Sequence, residues 1–185
     1  SVRAGAADYT PVFLHEIPHL IRSGRIHIDV ALVQASPPDA AGRMSLGISV
    51  DITKAAVESA RLVIAQVNAR MPRTHGDSLL PRDAFDLLVE GEAPLLELPP
   101  RDPTPEAGVI GHFCAGLIED GATIQMGIGA IPDAVIGCLQ DKNDLGMHTE
   151  MFSDGLLPLM ASGVVNGRRK TTHKGKVVTS FCLGS

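Results

Sequence analysis

Aromatic side chains are nearly missing: the 185 residues include no Trp, one Tyr and five Phe. Stacked rings cannot build the core, so Val, Ile, Leu, Ala and Met must fill it, as they do in buried parallel sheets. Cysteine is scarce as well. Cys114, Cys138 and Cys182 are far apart, odd in number and without a CxxC spacing. This argues against a zinc site or a disulfide framework and suits a reducing, cytoplasmic compartment. No apolar run reaches the length of a membrane span. The opening Ser1-Val2-Arg3-Ala4-Gly5 has no apolar signal-peptide core. It also lacks an initiator Met, which suggests a start inside a longer gene product. Excess positive charge is absent too. The formal net charge of −5 argues against nucleic acid or an anionic membrane as partner. The one basic cluster, Arg168-Arg169-Lys170 with Lys174 and Lys176, has no aromatic residues nearby. It reads as a solvated loop, with a contact to an anionic cofactor as the other reading.

With 44% hydrophobic and 20% charged residues, the chain has the balance of a soluble globular protein. Residues 28–35 (IDVALVQA) form an apolar, β-branched run that predicts a buried strand. Ser36-Pro37-Pro38-Asp39 breaks it, and Gly42 and Gly47 keep the next loop open. Asp51-Ile52-Thr53 can cap a helix to about Ser59. Residues 61–67 predict a second buried strand, parallel to the first by the logic of a βαβ unit. Residues 68–81 are polar and read as irregular. Pro99, Pro100, Pro103 and Pro105 forbid a helix or a central strand, so a domain boundary is expected near 99–105.

A second α/β pattern follows. A helix from Pro105 to about Ile118 would carry Val109, Ile110, Phe113, Leu117 and Ile118 on or near one face. Residues 122–126 and 144–149 predict short strands around a helix from Ile131 to about Leu139. Another helix is expected near 156–161 and a last strand over 176–181. No helix follows to cover that strand, which suggests truncation at this end also. The fold class is therefore α/β, with two open, mostly parallel-sheet units, both incomplete.

A right-handed crossover would bring the C-terminal ends of the strands at 122–126 and 144–149 to one sheet edge, where such sheets bind ligands. The loop Gly127-Ile128-Gly129 leaves the first strand there and Glu150 leaves the second. Glycines let a substrate oxygen approach backbone N–H groups, and a helix start near Ile131 adds positive potential, which suits a phosphate or a transient oxyanion. A tight strand-to-helix turn explains the same spacing. Glu150, lying among Met147, Met151 and Phe152, is either an ordinary strand-end carboxylate or a functional one. His148 could orient that carboxylate or the substrate, or be a hydrogen-bonded structural residue. Ser36, with the loop to Gly47, and Asn68, with the loop to Gly76, are candidate pocket residues; rigid surface turns are the alternative. The remaining histidines show no metal-ligand spacing, and neither HExxH nor a Ser/His/Asp pattern occurs.

Residues 125–133 (QMGIGAIPD) followed by 145–155 (LGMHTEMFSDG) resemble the acetyl-CoA hydrolase/transferase family, which includes the 4-hydroxybutyrate and acetate CoA-transferases. Ser36-Pro37-Pro38-Asp39 with Ser45-Leu46-Gly47, Val67-Asn68 with Met71-Pro72, Tyr9-Thr10-Pro11, and Phe181 with Gly184-Ser185 extend the resemblance nearly end to end. It implies that the two units are related, residues 1–100 being the latter part of one CoA-transferase domain and 101–185 the first part of a second. It implies Glu150 as nucleophile, with Gln125, Gly127, Ile128 and Gly129 forming the oxyanion and CoA site. A second glycine motif would lie beyond Ser185, so little turnover is expected from this chain alone. CoA is then a substrate passed between an acyl-CoA and a small carboxylate such as acetate, butyrate or 4-hydroxybutyrate, without a metal. A homo-oligomer is expected. A hydrolase using the same glutamate is the second reading. A non-catalytic sugar-phosphate or nucleotide-binding module is the third.

Overall fold

A computed structural model of the chain describes residues 2–99 and 102–185, so Pro100 of the proline cluster lies outside the described residues. The chain gathers into two compact units, one ending at Pro94 and the other beginning at Leu95.

The first unit carries α1 (Ile17–Arg22), β1 (Val30–Ala35), β2 (Arg43–Ser45), α2 (Thr53–Ser59), β3 (Leu62–Val67), β4 (Leu79–Pro81) and β5 (Leu87–Glu90). Strands β1, β3 and β5 form a parallel sheet in that order, with Val30 opposite Leu62 and Ile64 opposite Leu87. The β1–α2–β3 unit is thus the expected crossover. Asp51 starts α2 by accepting N–H bonds from Ile52 and Thr53 through one oxygen. The predicted burial of β1 needs correction. Ala31 and Ala35 are buried, but Val30 and Leu32 are 44% and 75% exposed, so the strand alternates. An apolar run states only that both faces tolerate burial; packing decides which face receives it. Here Ala31, Ala35, Val63 and Ala65 pack with Met44, Leu46, Val57 and Phe85 in one core. The stretch expected to be irregular also contains a strand, since β4 pairs antiparallel with β2.

The second unit holds α3 (Pro105–Gly116), β6 (Thr123–Ile124), α4 (Ala130–Gly137), β7 (Gly146–Met147), β8 (Met151–Phe152), α5 (Leu156–Ala161) and β9 (Phe181–Cys182). The pairs β6–β7 and β8–β9 are both parallel, and a parallel bridge joins His148 to Val178. The described sheets are therefore mostly parallel, as an α/β fold requires. Met126, Leu139, Leu145, Met147, Leu156 and Leu159 are among the buried residues of this core, and the partly buried Phe152 packs against it.

Helix α3 reverses the expected orientation of its apolar face. Val109, Phe113 and Leu117 are exposed, while Ala107, Gly111 and Ala115 are buried. The small residues win because α3 packs closely on α4. A Cβ on Gly111 would stand 2.7 Å from the carbonyl carbon of Ala134, a backbone atom that cannot turn aside. Gly108, on the same helix, has nothing within 4 Å of such an added carbon. Replacing helical Gly by Ala normally gains about 1 kcal/mol, whereas overpacking costs about 1–3 kcal/mol. Gly108→Ala should therefore raise the denaturation midpoint and Gly111→Ala should lower it. Urea unfolding of the two variants checks the opposite signs.

The basic cluster also needs correction. Lys170 is not solvated: it is 2% exposed, and its Nζ donates to the carbonyls of Met147 (2.8 Å) and Lys176 (2.7 Å). Its stem lies against Gly146, where any side chain would collide with it. Burial pushes its ammonium below the usual lysine range. Arg168, Lys174 and Lys176 remain exposed.

Candidate functional site

In the first unit, loops 36–42 and 68–78 leave the C-terminal ends of the neighbouring parallel strands β1 and β3. Ser36 and Asn68 sit at their starts, 4% and 0% exposed. The Ser36 hydroxyl accepts from Ser45 N and donates to Pro37 O. The Asn68 amide donates to Gln34 and Ala93, and its oxygen accepts from Arg70 N. Both side chains fix the paths of their loops.

Asp39 ties the loops together. Its carboxylate accepts from the N–H groups of Arg43 (2.8 Å) and Ala41 (2.9 Å) and from the Arg73 guanidinium (2.6 Å). The Arg43 N–H, aided by Ala41 and the two arginine charges, holds the carboxyl below its ordinary 3.8. A depressed folded value gives stability that is present above 3.8 and lost as pH falls through the folded value. Asp39→Asn should therefore be less stable than the parent sequence at about pH 6, and the gap should close towards about pH 2. Urea titrations at both ends of that range measure it.

In the second unit, the β6–β7 register sets Thr123 opposite Gly146 and Ile124 opposite Met147. The last main-chain rung runs from His148 N to Ile124 O at 3.0 Å. Gly127-Ile128-Gly129 and Glu150 consequently emerge from neighbouring C-terminal strand ends. Burial alternates there: Met147 and Thr149 are buried, His148 and Glu150 exposed. Glu150 thus presents its carboxylate outward, and no hydrogen bond or ion pair engages it among the described residues. Its main chain is held firmly. The Glu150 carbonyl accepts from Ser180 N (3.0 Å), Phe181 N (3.2 Å), Ser180 Oγ (2.7 Å) and Thr179 Oγ1 (3.0 Å). The His148 ring packs edge-on against His173, with centroids 5.9 Å apart.

Gly127, Ile128 and Gly129 are exposed, as is Gln125. Gly129 has φ 109° and ψ −177°, a conformation open essentially to glycine alone. It precedes α4, whose first turn contains Pro132. An added Cβ would meet nothing at Gly129 and only Pro132 at Gly127, so a ligand can approach this backbone. An unengaged carboxylate and an open glycine loop before a helix start are groups that covalent acyl chemistry can use. Among the described residues, no group of three or more His, Cys, Asp or Glu side chains gathers as a metal site. Among the described residues, no helix is long and apolar enough to cross a membrane.

Spacing arguments pass over Thr149, Thr179 and Ser180. Only the placement of a polar residue on the apolar side of a strand signals Thr149. The threonine joins the two halves of the site: its hydroxyl accepts from Met126 N (3.0 Å) and donates to Met126 O (2.8 Å).

Sequence comparison matches residues 1–97 to the acetyl-CoA hydrolase/transferase N-terminal domain. The 4-hydroxybutyrate coenzyme A transferase of Clostridium kluyveri is 52% identical over 185 residues, all of this chain and 43% of that protein. The succinyl-CoA:acetate/propanoyl-CoA:succinate CoA transferase of Fasciola hepatica is 45% identical, again over all of this chain and 39% of its own length. Among solved structures, a 4-hydroxybutyrate CoA-transferase from Porphyromonas gingivalis superposes with a TM-score of 0.89 at 45% identity, covering 95% of this chain and 45% of that one. RipA from Yersinia pestis gives 0.93 at 39% identity, covering 100% and 44%. The chain thus spans about two fifths of the length of the curated relatives it matches.

Proposed function

The chain belongs to the acetyl-CoA hydrolase/transferase family, and from that premise we propose that the full-length polypeptide carrying it is a CoA-transferase with Glu150 as its covalent nucleophile. The observation that supports this reading is the β6–β7 register: the open Gly127–Gly129 loop and Glu150, whose carboxylate is unengaged among the described residues, leave neighbouring strand ends. Residues 1–100 then serve as the latter part of an N-terminal CoA-transferase domain and 101–185 as the first part of a C-terminal one. The donor is an acyl-CoA and the acceptor a small carboxylate of the acetate, butyrate or 4-hydroxybutyrate type, in keeping with the names of the relatives.

An oxygen of ionised Glu150 attacks the thioester carbonyl. The tetrahedral oxyanion collapses with loss of CoA thiolate, leaving an acyl–glutamyl anhydride. The thiolate then attacks the glutamyl carbonyl, releasing the donor's carboxylate and forming a glutamyl-CoA thioester. An acceptor carboxylate reverses both steps, so new acyl-CoA leaves and Glu150 is regenerated. Each addition creates an oxyanion that the N–H groups of the Gly127–Gly129 loop can receive, with Gln125 and Ile128 bounding the approach. His148 lies on the same side as Glu150 and lines the entry of the substrate. Ser36 and Asn68 hold the loops of the first unit.

Initial rates with acyl-CoA and acetate varied together test this reading. Parallel double-reciprocal lines are expected, as a ping-pong mechanism requires. Intersecting lines would contradict a covalent enzyme-bound CoA. Loss of acyl-CoA at an equal rate without acceptor would assign the same glutamate to hydrolysis instead.

A further inference from the structure

We propose that Thr149 is a positioning residue that sets the spacing between the Glu150 carboxylate and the N–H groups of the Gly127–Gly129 loop; this rests on the reading of Glu150 as nucleophile. Strand β6 ends at Ile124, and the main-chain ladder to β7 stops there. The chain must still pass Gln125 and Met126 before the glycine loop begins. Met126 is 7% exposed, so its N–H and carbonyl both need partners. Thr149 supplies both through a single hydroxyl, 6% exposed, accepting at 3.0 Å and donating at 2.8 Å. Among the described residues these are the only hydrogen bonds joining residues 125–129 to residues 147–150.

The hydroxyl therefore acts as one more rung of the sheet, placed where the backbones have separated. Its position is the informative part. Met126 is bonded to Gly127, and Thr149 is bonded to Glu150. On the other side, Thr149 N donates to Val178 O at 2.9 Å, and the Glu150 carbonyl is held by residues 179–181. Glu150 is thus fixed from one flank, and Thr149 transfers that fixed position to the glycine loop on the other. A hydroxyl is required because one group must both donate and accept; Val has the same shape and can do neither. Loss of the tie leaves the nucleophile in place and lets the loop drift. Misplacement of that kind weakens oxyanion stabilisation more than it weakens substrate binding.

The test compares Thr149→Val with Thr149→Ser in the full-length polypeptide. The Val variant should lose roughly 10- to 100-fold in kcat, with KM for acyl-CoA changed less than about threefold. The Ser variant, which keeps the hydroxyl, should recover most of that rate. If Val fails to fold, Thr149→Ala removes the hydroxyl without crowding and takes its place in the comparison. A Val or Ala variant with near-normal kcat, or a Ser variant as slow as Val, overturns the proposal. Trapping of CoA on Glu150 in the unsubstituted enzyme is measured alongside. If no adduct forms there, the nucleophile reading fails on its own evidence, separately from the role of Thr149.

Discussion

Glu150→Gln should lose roughly 10⁴-fold or more in turnover, equivalent to about 5.5 kcal/mol of transition-state stabilisation. The substitution keeps the side-chain length and removes the nucleophilic charge. Glu150 lends itself to this comparison because its carboxylate supports nothing else: no described side chain or backbone group bonds to it, and it is exposed. Its backbone, held by residues 179–181, is unchanged by the substitution. The denaturation midpoint should therefore stay close to that of the unsubstituted protein. Glu150→Asp keeps the charge and withdraws it by one methylene, and should lose roughly 100-fold through misplacement alone. Steady-state rates and thermal unfolding of both variants separate these effects. Near-normal rates in the Gln variant would remove Glu150 from the chemistry.

The second large effect is expected at Gly129. With φ 109° and ψ −177°, the residue occupies a region that costs any side-chain-bearing residue about 1–3 kcal/mol. Space does not explain the glycine, because an added Cβ would meet nothing within 4 Å. Backbone conformation does. Gly129→Ala must either carry the strain or change the path of the loop, and a changed path moves the N–H groups proposed to receive the oxyanion. A fall of roughly 100-fold in kcat is expected, since loss of one such donor costs about that much. A Gly129→Ala enzyme within about threefold of normal would place the oxyanion donors elsewhere.

The sequence disclosed connectivity more readily than burial. The apolar runs of β1 and β3 and the proline break after β1 were enough to read a parallel crossover, because those signals are local. The exposure of Val30 and Leu32 was not readable, since an apolar strand carries no mark of which face will be covered. Helix α3 shows the same limit. Its large apolar residues do share a side, yet tight packing between backbones selected Ala107, Gly111 and Ala115 for burial. The short antiparallel pair of β2 and β4 left no strong pattern within a polar stretch. The burial of Lys170 leaves no local mark, because a lysine beside two arginines resembles a solvated loop; the missing side chain at Gly146 is what makes room for it. In the candidate site, Gly127–Gly129 and Glu150 could be placed on one edge from strand order alone. Thr149 could not, because its contribution is a side-chain bond to a backbone 23 residues away.

The central claim is that CoA becomes bonded to Glu150, and peptide mapping tests it directly. The full-length polypeptide is incubated with acyl-CoA, and borohydride then reduces any glutamyl thioester to a primary alcohol, releasing CoA thiol. Digestion and mass spectrometry locate the altered residue. The expected result is reduction at Glu150 alone, dependent on acyl-CoA and abolished when acceptor carboxylate is added before the reductant. Reduction at a different residue, with Glu150 intact, would contradict the assignment.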